Sequence, residues 1–390
     1  MKAIPDVFVV GGGFAGLQAV KALTRRRPRA RITLVDSNPY ATMLPALPDV
    51  LSGRINRNAL IRPFNEIISP RRVRVLTDEV TSVDAPRRTI YGRQQSYRYD
   101  YLILTSGSTP RYYGFAPLKG QLHSVHSYGA ANALRNAVVE QVRSTARCSL
   151  VVVGAGYTGL EVAASLHHGL APNGVQFQIT VIEVADEILP FLKPTERQAA
   201  REFFGSIGVD LRSGVSLQRY ADGTAELSDG TRVENALVCW AAGMQAECHN
   251  LTGTVERTED GRLGTNDYLQ LPAHPEVFVA GDAADLHKGD RSVRRAVNFA
   301  YYSGRTAGRN VAARLAGRPL RAFRPVDLGW VIPLGGISWG RIFGGIPVGG
   351  RFGLRLHYAM AGFRHFGAAD AVEFYKTAFN LSRRPDPILP

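Results

Sequence analysis

Two glycine turns, each set between a buried strand and a helix and each followed by an acidic strand end, constrain this chain most. In the first, Val7-Phe8-Val9-Val10 reads as a buried parallel strand. Gly11, Gly12, Gly13, Phe14, Ala15 and Gly16 follow, then a helical pattern through Leu23. Ile32-Thr33-Leu34-Val35 then ends in Asp36. The second copy runs from strand 150–153 into Gly154, Ala155, Gly156, Tyr157, Thr158 and Gly159. A helix continues through Leu166, and strand 179–182 ends in Glu183. One turn starts at Gly11 and the other at Gly154, so the duplication is on the scale of a domain rather than of a solenoid repeat.

Each residue type in this pattern has a physical reason. The first glycine permits a tight turn, the second lets a pyrophosphate approach the backbone, and the third lets helix and strand pack closely. The helix start offers free N–H groups and a partial positive charge to phosphates. Asp36, at the end of the strand after the Gly16 helix, is placed to accept ribose hydroxyls, and Glu183 has the same place and role after Gly159. A carboxylate there repels a 2′-phosphate, and Val184 and Ala185 supply no cation, so the second turn is expected to take NAD rather than NADP. Two dinucleotide sites in one chain suggest a resident flavin and a visiting nicotinamide.

The chain's 390 residues suggest two or three domains, and 45% hydrophobic with 21% charged residues excludes disordered and fibrous classes. Three cysteines (Cys148, Cys239, Cys248) without a CxxC argue against a disulfide scaffold or zinc site, and the nine histidines form no ligand set, so no metal is expected. No apolar run reaches the roughly 20 residues of a spanning helix, and with a strand expected from Val7 no leader is expected. The charge is lopsided. Residues 291–390 hold 15 arginines and one lysine against four acids, so nearly all of the net +14 lies in the last quarter. That balance implies an anionic partner surface, either lipid or nucleic acid.

Further buried strands are expected at 101–104, followed by Thr105-Ser106-Gly107-Ser108, at 236–240, followed by Ala241-Ala242-Gly243, and at 277–280, followed by Gly281-Asp282. Residues 293–315 look helical. Short apolar runs then span 328–350, amphipathic helices are expected at 351–366 and 369–381, and the Pro-rich end from Arg383 reads as a loose tail.

The set Val9 to Gly16 with Asp36, YLILTSGSTP (101–110), VVVGAGYTGLE (151–161), VCWAAG (238–243) and VFVAGDAAD (277–285) resembles the two-dinucleotide-binding-domain flavoproteins. Within them it is most similar to type II NADH dehydrogenases, the non-pumping NADH:quinone oxidoreductases, and to ferroptosis-suppressor and apoptosis-inducing-factor-like proteins. The resemblance covers most of 5–320. It implies an α/β fold with two Rossmann-like dinucleotide-binding domains and a small C-terminal α+β region. The implied spans are 1–110 with 270–320 for FAD, 111–269 for NAD(H), and 321–390 for membrane association and quinone access.

The resemblance places FAD on Gly11, Gly13, Phe14, Ala15, Gly16 and Asp36. Thr105, Ser106, Gly107 and Pro45 would lie near the isoalloxazine, Val80 would contact the adenine, and Gly281 and Asp282 would meet the ribityl or phosphate region. NADH would take Gly154, Gly156, Tyr157, Thr158, Gly159, Glu183, Ala242 and Gly243. Glu161 would align the hydride donor or deliver a proton, with Lys376 approaching the flavin. Residues 40–53 carry no redox cysteine, so disulfide reduction is excluded, and Cys148 and Cys239 fall in or beside strands, as packing cysteines do. In place of the family's quinone-mouth glutamines stand Asn298 and Tyr302, which keeps the acceptor's identity open.

The implied reaction is hydride transfer from NADH to FAD and then two-electron reduction of a quinone. It would take place on the cytoplasmic face of the cell membrane, as part of respiratory electron transfer. Trp330, Trp339 and many phenylalanines interleave with arginines from 321 onward, which suits a helix lying in an anionic membrane surface. The same segment also reads as a cover over the flavin domain or a homodimer face. Two rivals stand beside this reading: a soluble NAD(P)H-dependent flavoprotein reductase of a protein acceptor, and an apoptosis-inducing-factor-like protein binding nucleic acid, the less favoured partner.

Overall fold

The computed structural model describes residues 4–190, 192–343 and 345–389. The chain forms two compact units. One comprises Met1–Ala41, Arg62–Thr109 and Met244–Leu328, and the other Thr42–Ile61, Pro110–Gly243 and Gly329–Pro390.

The first unit is built on a six-stranded sheet in the order Gln270–Leu271, His274–Val279, Tyr101–Leu104, Asp6–Val10, Arg31–Asp36, Arg74–Thr77. All neighbours are parallel except the edge pair Gln270–Leu271 and His274–Val279. Val7, Val9, Leu34 and Val35 are fully buried, as a parallel strand covered on both faces requires. The helix Phe14–Arg26 buries Ala15, Leu17, Ala19, Val20 and Leu23, and its last turn carries Arg25 and Arg26, which suit the helix dipole. It packs on the helix Val297–Leu315 through Gly304 and Gly308. A Cβ on either would strike the backbone of Ala15 or Ala19. Each glycine costs a helix roughly 1 kcal/mol against alanine, and the close approach of the two helices is what that cost permits.

The second unit has a parallel sheet in the order Val209–Ser213, Gln176–Glu183, Arg147–Val153, Leu237–Trp240. Its C-terminal part is an antiparallel meander of Gly329–Leu334, Ile337–Ile342 and Ile346–Gly349, followed by the helices Gly350–Phe363 and Ala368–Phe379.

The packing departs from the sequence expectation in four places. First, segment 42–61 and residues 329–390 belong to the second unit. Arg54, only 2% exposed, ties them together by donating from Nε to the Leu381 carbonyl at 3.3 Å and from Nη1 to the Gly335 carbonyl. Second, residues 244–269 belong to the first unit, where Leu251 pairs with Val83 and Leu263 with Ala284. Third, the helix expected from 293 begins at Val297. Val293 donates its N–H to Leu286 and accepts from Arg262, which holds 293–296 extended. Fourth, the C-terminal end is docked rather than loose: Arg57 Nε reaches Asp386 at 2.6 Å, Arg135 donates to the Pro387 carbonyl at 2.5 Å, and Ile388 is 2% exposed.

Candidate nucleotide-binding sites

In the first unit, the strand Asp6–Val10 ends at Gly11, whose φ of +94° belongs to glycine, and an added Cβ would meet the Thr105 carbonyl. Thr105 braces the turn, its Oγ1 hydrogen-bonding the carbonyls of Val10 and Gly11, both at 2.8 Å. At Gly16 a Cβ would collide with the Gly11 carbonyl, so helix and turn are in contact. At Gly13 a Cβ would meet nothing within 4 Å. Phe14 and Ala15 open the helix, its first turn holds no acid, and no side chain caps it. A helix start without a side-chain cap or an acid in its first turn suits an anion. Asp36 accepts from the Gly12 N–H at 2.6 Å and from the Asn38 N–H at 2.8 Å. Burial raises its carboxyl above the usual range, opposed by those hydrogen bonds. An open backbone cradle beside a carboxylate fits the pyrophosphate and ribose of a dinucleotide.

Gly107 is open, with φ +77°. Ser106 Oγ donates to the Glu247 carbonyl. Gly281, at φ +72°, lies against Ala15. Asp282 accepts from Ser108 Oγ at 3.0 Å, and burial pushes its carboxyl up against the pull of Ser108, Arg295 and Arg262. Val80 starts the strand Val80–Asp84. Asn298, 4% exposed, donates its side-chain N–H to the Val326 carbonyl at 2.8 Å, and Tyr302 is 39% exposed.

The second unit repeats the construction. Gly154 has φ +106°, and a Cβ there would meet the Ala241 carbonyl at 2.6 Å. Gly156 is open, and Gly159 lies against the Gly154 carbonyl. The helix Tyr157–Leu170 starts without an acid in its first turn. Glu183 accepts from the Ala155 N–H at 2.9 Å and the Ala185 N–H at 3.1 Å. Thr158 is exposed, Tyr157 packs edge-on to Trp330, and Gly243, after Ala242, has φ +129°. The same donors at the same places fit a second dinucleotide.

Glu161 lies on that helix. It keeps a little surface, but burial raises its carboxyl well above the usual range, and the nearby Asp49 carboxylate adds to the rise. Asp49, 4% exposed, accepts from Tyr358 Oη at 2.7 Å and Ser52 Oγ at 2.9 Å. Pro45 lies in the turn Leu44–Ala46 of the same unit. Lys376 is exposed on the helix Ala368–Phe379, lining an open cavity of about 490 Å³ with Val372, Tyr375, Phe379, Asn380 and Arg383. Sequence reasoning did not reach Asp49 or Arg54, whose importance lies in contacts with residues far along the chain, Tyr358 and Leu381.

All three cysteines are buried. Burial pushes the thiols of Cys148 and Cys239 up to about 12 and that of Cys248 to about 11, so none supplies a thiolate near neutral pH.

Two mostly parallel sheets, each with a glycine turn and a strand-end acid hydrogen-bonded to that turn, fit the class of two-dinucleotide oxidoreductases. Residues 5–304 match the family model described as pyridine nucleotide-disulphide oxidoreductase, and the chain belongs to that family. Within it the chain is a type II NADH dehydrogenase-like FAD oxidoreductase. An NADH dehydrogenase-like protein of Mycobacterium tuberculosis is 31% identical over 338 residues, covering 82% of each chain. A type II NADH:quinone oxidoreductase of Staphylococcus haemolyticus is 25% identical over 370 residues, covering 86% of this chain and 90% of its own. Among solved structures, NDH2 from Plasmodium falciparum in complex with NADH matches all of both chains with a TM-score of 0.85 at 13% identity. The sulfide:quinone oxidoreductase of Aquifex aeolicus covers 97% of this chain and 96% of its own, with a TM-score of 0.77 at 15% identity. Both structural likenesses are likenesses of fold.

Proposed function

We propose that this enzyme is a peripheral-membrane, non-proton-pumping NADH:quinone oxidoreductase with FAD in the first unit and NADH visiting the second. The observation that carries the reading is the pair of matched carboxylate–turn contacts, Asp36 to Gly12 and Glu183 to Ala155. Bound there, FAD would supply the two-electron redox chemistry that links NADH oxidation to quinone reduction.

The chain's own residues bind and orient. The N–H groups opening the helices Phe14–Arg26 and Tyr157–Leu170 hold pyrophosphates, and Asp36 and Glu183 take ribose hydroxyls. Burial favours the protonated form of the Glu161 carboxyl, which suits it to lend a proton to the reduced acceptor. With its cysteines held as thiols, the chain is poorly equipped for sulfide chemistry.

The C-terminal surface supports membrane docking. Leu354 and Tyr358 face inward at 0% exposure, while Phe352, Phe363 and Phe379 are 70, 77 and 83% exposed. Exposed Arg351 and Arg355 flank them. Aromatics for the acyl boundary and cations for head groups suit a helix lying in the membrane surface. Among the described residues no helix is long and apolar enough to cross a membrane. The test is NADH oxidation by the purified protein with a quinone as sole acceptor, with and without anionic vesicles. Quinone-dependent turnover together with vesicle binding is expected. Turnover only with a soluble protein acceptor would contradict the reading.

A further inference from the structure

We infer that His249 closes the adenosine end of the FAD site and is a cofactor-binding residue that favours FAD over FMN. The inference deepens the reading of the Asp36 turn as the FAD site and rests on it.

The loop carrying His249 is latched on both sides. Glu247 donates its N–H to the Gly107 carbonyl at 3.0 Å, and its own carbonyl accepts from Ser106 Oγ. On the far side, Asn250 Nδ2 donates to the Thr81 carbonyl at 3.4 Å, and Leu251 pairs with Val83. Between these anchors His249 and Asn250 hold φ of +44° and +41°, left-handed angles uncommon for side-chain-bearing residues but reached most readily by Asn, Asp and His, and the flanking latches hold them there. The imposed conformation aims the imidazole: the ring hydrogen-bonds the Val80 backbone, and its Nδ1 lies 3.7 Å from Glu247 Oε1. The side chain keeps 15% exposure, and the charges of Asp36 and Glu79 act on it as well.

Three carboxylates, Glu247, Asp36 and Glu79, act on His249, Glu79 being paired with Arg93 at 2.7 Å, and that composition bears on what binds. Carboxylates repel a pyrophosphate, which has its own cradle at the open Gly13 and the helix start. A neutral ribose and a flat purine suit the place beside Asp36. Burial lowers the His249 pKa, which leaves the ring uncharged near neutral pH, able to face a purine without a desolvated charge.

The test uses the full-length protein stripped of flavin and titrated separately with FAD and FMN, following flavin fluorescence. His249→Ala is expected to weaken FAD binding about tenfold, as loss of one buried aromatic or hydrogen-bonding contact would, while FMN, which lacks the adenosine, stays within about twofold. His249→Gln, which keeps a donor for Val80, is expected to recover part of the loss, and it carries the test if the alanine variant melts early. Unchanged FAD affinity in both variants, or equal weakening of FAD and FMN, overturns the proposal. Asp36→Ala tests the underlying reading separately. It should also weaken FAD against FMN, and its failure to separate the two flavins would remove the FAD assignment and this proposal together.

Discussion

The Glu183 carboxylate accepts the N–H of Ala155, the second residue of its own glycine turn, at 2.9 Å, and so stands fixed beside the turn before any nucleotide arrives. Its other oxygen is held by Ala185. Glu183→Ala should raise KM for NADH about tenfold, the scale of one lost charged hydrogen bond, and should narrow the preference over NADPH. Steady-state kinetics with both nucleotides checks this. Unchanged selectivity would take Glu183 away from the ribose.

Gly11 is the equivalent control on the flavin side. Gly11→Ala places a Cβ against the Thr105 carbonyl at a φ of +94°, so the turn must move. The variant should purify without the visible absorption of flavin while keeping the far-ultraviolet dichroism of a folded chain. Full flavin content would contradict the turn's role.

Glu161 makes a pH prediction with a definite sign. Its carboxyl is raised in the folded protein from an ordinary value of 4.5, so the unfolded chain releases that proton first. The associated stability is present below the ordinary value and is lost as pH rises through the raised one. Glu161→Gln, which mimics the protonated form, should therefore melt close to wild type in acid and increasingly above it as pH rises. A difference in melting temperature that does not vary with pH would contradict this.

Three exposed phenylalanines are a testable anchor. Burying a phenylalanine side chain is worth about 1.5–3 kcal/mol. Replacing Phe352, Phe363 and Phe379 with serine should lower co-sedimentation with anionic vesicles at least about tenfold, and should leave NADH oxidation by a water-soluble acceptor intact. Retained vesicle binding would move the membrane surface elsewhere.

The glycine turns were legible in the sequence because their logic is local: strand, turn, helix and acid follow one another within a single strand–helix–strand unit, and both appear as expected. What escaped was long-range. Nothing near Arg54 in the sequence announces that its guanidinium will be buried against carbonyls at 335 and 381, or that Asp386 will capture Arg57. The C-terminal helices illustrate the same limit. Helical periodicity gave amphipathic segments but not which apolar side chains turn inward: packing buries Leu354 and leaves Phe352 and Phe363 exposed. Asn298 reads from sequence as free to meet a quinone, yet its side-chain N–H is occupied by the carbonyl of Val326, beyond the end of its own helix.

The central claim is that one chain takes electrons from NADH onto a bound flavin and gives them to a quinone. Rapid mixing of the flavin-loaded protein with NADH, followed by a quinone, tests it most directly. The account predicts that the flavin's visible band bleaches on the first addition and returns on the second. A band that NADH leaves untouched, or that bleaches and does not return with quinone, would contradict it.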